Sequence, residues 1–366
     1  MSSEAYSSLK AGWHLDKIAL LRLGEPIVPP HVQLILSDLC NQDCAFCSYR
    51  MSNGFSSENF VEHKPDGTIN RNPNRMIPFG KAVEILHDCA AMGVKAIQFT
   101  GGGEPTVHPR HMDLFRLALD LGLECALVTN GVVLRNGWES VLPHFKWIRV
   151  SLDAGTQETY AKVRNTNQSS FGKALDNTKA IADAIAKEGS DCLLGVGYVV
   201  TPDNCHEIWQ GCSEAHKAGA KYIRLSAMFS KDFDAPFLGV EDKINERIRE
   251  AKSDFDCRTF QVIDRFHDRI SDLEQHAPDY DRCGYQHFNV YIGGDQKVYR
   301  CCNTAYTLHG EVGDLRQQTF SEWMASAQRR EAYATFNARS CSICQFNGPN
   351  RVINSLVDEP LHANFV

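Results

Sequence analysis

The chain has 366 residues, 43% hydrophobic and 23% charged, enough for one large domain or a large domain with a small one. The formal net charge of −7, without any Lys/Arg run, excludes the electrostatic footprint of a nucleic-acid or anionic-membrane binder, so neither is an expected partner. No stretch approaches the ~20 apolar residues of a membrane span and no basic-then-apolar leader opens the chain. The expected location is therefore the cytoplasm, where fourteen cysteines suggest thiolate ligation of metal rather than disulfides.

Residues 1–30 form an N-terminal extension without a recognisable pattern. From residue 31 to 235 short apolar runs alternate with amphipathic stretches. The predicted strands are His31 to Ser37, Lys95 to Thr100, Leu123 to Thr129, Trp147 to Leu152, Leu193 to Val200 and Tyr222 to Ser226. Between them, Pro78 to Met92, His111 to Leu121, Phe171 to Lys187 and Cys205 to Ala218 carry helical periodicity. Six βα units with right-handed crossovers predict an α/β fold, a partial (β/α)6 barrel. The connection from Asp38 to about Met76 is long and polar; its part from Met51 to Arg75 is either a lid or a solvated insertion. Residues 236–366 read as a small α+β domain with a C-terminal tail: a charged helix near Glu241 to Ser253, an irregular stretch, then a hairpin of His287 to Ile292 and Lys297 to Cys301 turning at Gly293, Gly294 and Asp295.

Cys40, Cys44 and Cys47 form CxxxCxxC in the loop after the first strand, where one tight turn aims three thiolates at a common centre. A closed structural site has four protein ligands. Three ligands on a [4Fe–4S] cluster leave one iron open, as a catalytic centre needs; the alternative is a zinc knuckle with a distant fourth ligand. TGGGEP, residues 100–105, follows the second strand at the carboxyl edge of the sheet, with glycines that permit close backbone approach and a carboxylate on Glu104.

CxxxCxxC after the first strand of such a chain, followed by TGGGEP, resembles the radical S-adenosylmethionine (SAM) superfamily. The resemblance implies a three-cysteine [4Fe–4S] cluster whose open iron chelates the amino and carboxylate groups of SAM, and reductive cleavage of SAM to a 5′-deoxyadenosyl radical that abstracts hydrogen. Phe46 resembles the family's aromatic residue near adenine; Gly102, Gly103 and Glu104 resemble the motif that receives the methionine ammonium. Thr129, Asn130, Ser151 and Asp153, at the ends of strands 3 and 4, are expected near the ribose hydroxyls or the SAM carboxylate, and Arg164 resembles the arginine that pairs with that carboxylate. Capping and turn roles are open for Asn130 and Asp153. Gly195 and Gly197 resemble the segment lying against adenine, and Met228 matches its counterpart weakly.

Cys283, Cys301, Cys341 and Cys344 supply four further thiolates, enough to close a cluster or a tetrahedral zinc. With YIGGDQKVYRC and EVGDLRQQTFSEW they resemble the twitch domain, the one-cluster relative of SPASM, which implies an auxiliary [4Fe–4S] cluster. Cys302 replaces Cys301 as ligand, donates a hydrogen atom as a catalytic thiol, or is a packed spare. Cys89, Cys125, Cys192, Cys205, Cys212 and Cys257 read as small core residues. The expected activity is that of a radical SAM oxidoreductase that takes hydrogen from a small polar metabolite, sugar- or cyclitol-like, with the auxiliary cluster as electron acceptor and flavodoxin or ferredoxin as reductant. A peptide-modifying maturase or an epimerase are alternatives, the former disfavoured by the lack of an added N-terminal peptide-recognition domain. A non-catalytic iron–sulfur carrier would need four ligands and no glycine loop.

Overall fold

The computed structural model describes residues 7–50, 60–230 and 232–358; residues 51–59 of the expected lid and the outermost parts of both expected terminal segments lie outside them. The six predicted strands are present as β1 (His31–Ile35), β2 (Ala96–Thr100), β3 (Glu124–Thr129), β4 (Trp147–Ser151), β5 (Leu193–Val200) and β6 (Tyr222–Ala227). They pair in parallel in chain order, and their apolar runs are long because a parallel sheet is covered on both faces. The crossovers are α-helices. Phe79–Met92 stops at Gly93, whose φ of +85° closes the last turn without a Cβ clash. Ser169–Glu188 stops in the same way at Gly189, and Gln157–Arg164 starts on a Thr156 cap and stops at Asn165 in the left-handed region.

The sheet does not end at residue 235. Gln261–Asp264, read from the sequence as irregular, is a seventh parallel strand, β7, on β6. At the other end Asn289–Ile292 (β8) lies parallel to β1, with His31 opposite Asn289. Lys297–Tyr299 (β9) and Glu311–Asp314 (β10) then extend the sheet antiparallel, giving the order β10-β9-β8-β1-β2-β3-β4-β5-β6-β7. One hydrophobic core accordingly runs from Val32 and Phe99 through Val290 and Val298 to Trp323. Trp323 explains why β10 escaped the sequence reading: its indole Nε1 donates to Val312 O at 2.9 Å and its ring occupies the place where a Cβ on Gly313 would stand. The strand therefore carries a glycine where alternation calls for a side chain.

Candidate active site

The loop after β1 is pinned from three sides. Asp43 N donates to Arg164 O at 3.2 Å and Ala45 N to Val163 O at 2.9 Å, so the C-terminus of the helix Gln157–Arg164 fixes the segment between Cys40 and Cys47. Asn72 clamps Cys40 reciprocally, with Cys40 N donating to Asn72 Oδ1 and Asn72 Nδ2 to Cys40 O, both at 3.0 Å. Arg50 is buried and donates to Gln42 O and, at 2.7 Å, to Asn72 Oδ1. The described part of the long connection is packed at its two ends, where Phe60 is fully buried and Arg75 forms a 3.0 Å ion pair with buried Asp38, whereas residues 64–69 between them are exposed to solvent. Burial pushes the Cys40 thiol up to about 11, with Glu104 raising it further and Arg50 opposing; Cys44 rises to about 12 for the same reason, opposed by Arg164. Burial also raises Cys47, again against Arg50. The three thiols perturb one another, and two guanidinium groups stand beside them as counter-charges for thiolates.

Gly102 and Gly103 face the cysteine loop. A Cβ on Gly103 would stand 2.3 Å from Leu39 O, and one on Gly102 would meet Phe60, the Tyr306 hydroxyl and Asp38 within 2.9 Å. The close approach lets Gly103 N donate to Ser37 O and Glu104 N to Leu39 O. Glu104 is buried and receives four donors: Thr129 Oγ1 at 2.6 Å, Thr106 Oγ1 at 2.8 Å and Thr106 N at 3.1 Å on Oε1, and Asn130 N at 2.8 Å on Oε2. Its pKa is raised by burial, with these donors pulling against it. Oε2, with one donor, retains the capacity to accept from an ammonium.

Several residues expected at the ligand are instead engaged with one another. Arg164 and Asp153 form a buried ion pair; Arg164 also donates to Gln42 Oε1 at 2.5 Å, and Asp153 Oδ1 accepts from Val199 N at 2.6 Å. Thr129 supports Glu104, and Asn130 Nδ2 donates to Asn41 Oδ1 at 2.6 Å. Ser151 and Gly197 stand opposite each other on β4 and β5. Apart from Asn41, these groups line one cavity of about 340 Å³ at the carboxyl edge of the sheet, together with Phe46, the three cysteines and Met228. Gly195 is the exception: the Tyr222 ring fills the space of its Cβ, 2.1 Å from it, and Gly195 does not line the cavity. Its glycine serves strand packing.

The fold also gathers the four later cysteines. Cys283 is raised well above the usual thiol range by burial first, then by Cys301, Cys344 and Cys341; Cys341 and Cys344 both feel Cys301. Cys302 feels Cys301 and Cys344, and its Sγ accepts from Gln345 Nε2 at 3.0 Å. It lines a separate pocket of about 60 Å³ that shares Ser48, Tyr49, Phe229 and Gln345 with the larger cavity. All fourteen cysteines are free; Cys89, Cys125, Cys192 and Cys212 are buried as expected, Cys205 is half-buried and Cys257 is exposed, its segment 256–259 having no apolar neighbour on either side of Cys257 to draw it inward. Among the described residues no group of three or more His, Cys, Asp or Glu side chains could hold a metal ion, so the fit of a cluster rests on the thiol sets and their counter-charges.

Residues 34–209 match the family described as the Radical SAM superfamily. This segment is a radical SAM domain. The S-adenosylmethionine-dependent nucleotide dehydratase of Lacinutrix mariniflava is 28% identical over 170 residues, 46% of this chain and 31% of the relative. GTP 3′,8-cyclase of Chlorobaculum tepidum is 23% identical over 235 residues, 63% of this chain and 64% of the relative. The chain thus spans about a third of the first relative and just under two thirds of the second. SuiB of Streptococcus suis, solved with its precursor peptide SuiA, superimposes with a TM-score of 0.58 at 14% identity over 91% of this chain and 74% of that one, a likeness of fold.

The radical SAM domain contains the three-cysteine loop, the glycine loop and most of the cavity wall. Sequence reasoning missed Gln42, Arg50 and Asn72, which hold the loop, and the cavity residues Arg149, Arg224, Arg269, Phe229 and Gln345. Arg50, three residues after Cys47 on a buried turn, was the one with a local signal. The last four lie beyond residue 209, outside the domain match.

Proposed function

We propose that this chain is a radical SAM oxidoreductase acting on a small polar metabolite in the cytoplasm, with Cys40, Cys44 and Cys47 holding a [4Fe–4S] cluster and Cys283, Cys301, Cys341 and Cys344 an auxiliary one. The observation that carries the reading is the placement of three neighbouring thiols and the partly engaged Glu104 on one cavity at the carboxyl edge of a radical SAM domain. A three-thiolate set leaves one iron for the amino and carboxylate groups of SAM. When bound, the cluster supplies the electron that splits the SAM sulfonium and so generates the group that takes a hydrogen atom from the substrate.

The residues of this chain do the positioning. Glu104, fixed by four donors, presents Oε2 to the methionine ammonium; Arg50 and Arg164 offset the charge of the thiolates; Phe46 and Gly197 leave room for the adenine. Substrate oxidation removes a hydrogen atom, a proton and an electron, which balances the electron consumed by SAM cleavage. A cluster held by the four later cysteines would be suited to accept that electron. The cavity has the scale of a small-molecule site. Anaerobic reconstitution with iron and sulfide, followed by dithionite and SAM, should yield 5′-deoxyadenosine; its absence in a fully loaded enzyme would refute the assignment.

A further inference from the structure

Five arginines line the cavity, whereas its two carboxylates, Glu104 and Asp153, are engaged as described. Arg50 and Arg164 stand beside the loop cysteines as their counter-charges. Arg269 does not. It comes from the helix Phe266–Gln275, beyond the radical SAM match, and its guanidinium carbon lies 3.7 Å from the centroid of the Phe229 ring. Nη2 donates to Gln345 Oε1 at 2.7 Å, and Gln345 in turn donates to Cys302 and Asn303. Among the described residues Arg269 has no ion pair: neighbouring Asp268 pairs with Arg265, and Asp272 accepts from Asn347 at 2.9 Å. Burial, opposed by Asp272, depresses its pKa to about 10, so it remains a cation at neutral pH. A guanidinium that lines the cavity without an ion pair can take an anionic partner there, and stacking plus one side-chain bond fix its fork in a single orientation.

We propose that Arg269, braced by Phe229 and Gln345, receives an oxyanion of the substrate, a carboxylate or phosphate group, at the cavity wall adjoining Cys302. The inference rests on the reading of this cavity as the SAM and substrate site. It narrows the substrate to an anionic metabolite.

The test uses anaerobically reconstituted enzyme carrying SAM, titrated by calorimetry with inorganic phosphate and, separately, acetate. Wild type should bind at least one probe saturably; binding of phosphate alone assigns a phosphoryl group, and of acetate alone a carboxylate. Arg269→Gln at equal iron content should bind that probe at least ~10-fold more weakly. If Arg269→Gln does not fold, Arg269→Lys decides: affinity should fall at least ~3-fold, because a lysine cannot offer the fork. Wild type binding neither probe, or a folded variant binding as wild type does, overturns the inference. Failure of the underlying reading gives a different result, a loaded wild type that releases no 5′-deoxyadenosine whatever anions it binds.

Discussion

The two cysteine sets of this chain are built in opposite ways. Cys40, Cys44 and Cys47 are neighbours in sequence, and their loop is held by backbone bonds to Arg164 and Val163, by Asn72 and by Arg50. Cys283, Cys301 and the local pair Cys341 and Cys344 are far apart in sequence and come near one another because β8 and β9 join the sheet while the helix Asn347–Val357 returns the tail to the N-terminal segment. The first set has three thiols and adjoins a cavity; the second has four. On the proposed reading coordination number separates the roles: a local set left one ligand short would bind SAM, and a four-thiolate set assembled by tertiary structure would move electrons.

The comparison breaks most visibly by removing each set. Replacing Cys40, Cys44 and Cys47 by Ala should abolish 5′-deoxyadenosine formation, a loss of at least ~1,000-fold, and leave about four irons per chain, read by iron analysis and chromatography of quenched reactions. Replacing Cys283 and Cys341 by Ala should also leave about four irons, yet retain SAM cleavage while oxidised product disappears.

The seam between the regions is sharpened by pH. Burial lowers His31 and His287 to about 4; His31 Nδ1 meets Asn289 Nδ2 at 2.7 Å across the β1–β8 pair. Both are neutral when folded and charge more readily when unfolded, where the pKa is about 6.5. Their contribution to stability is therefore complete above about pH 6.5 and lost as pH falls toward 4, on the order of 2 kcal/mol each by pH 5. Urea midpoints at pH 7.5 and 5 should show this drop, and His287→Gln should reduce it. The smallest effect is expected from Gly102→Ala, which presses a methyl group into Phe60, Tyr306 and Asp38, where loop and hairpin meet. It should cost about 1–3 kcal/mol, measured by the same urea titration.

Much of this was legible in the sequence. β1 to β6 declared themselves because each is a short, mainly apolar and β-branched run set between amphipathic helical stretches, and the thiols and Glu104 because their spacing is local. β7 was hidden by its shortness and by Gln261 and Asp264 at its ends. That Arg164 and Asp153 pair with each other was not legible, because a sequence shows which charges are present and not which neutralise each other. Gly195 was misread because a glycine admitting a tyrosine ring looks the same as one admitting adenine. Arg269 and Gln345 reach the cavity only through the fold of the C-terminal region.

The vacancy in the first set is tested most directly by electron paramagnetic resonance of the reduced Cys283→Ala/Cys341→Ala enzyme, which retains the first set alone. One four-iron signal that changes when SAM is added is the predicted result, because SAM then takes the iron that no side chain holds. A signal indifferent to SAM, or zinc in place of iron, would contradict it.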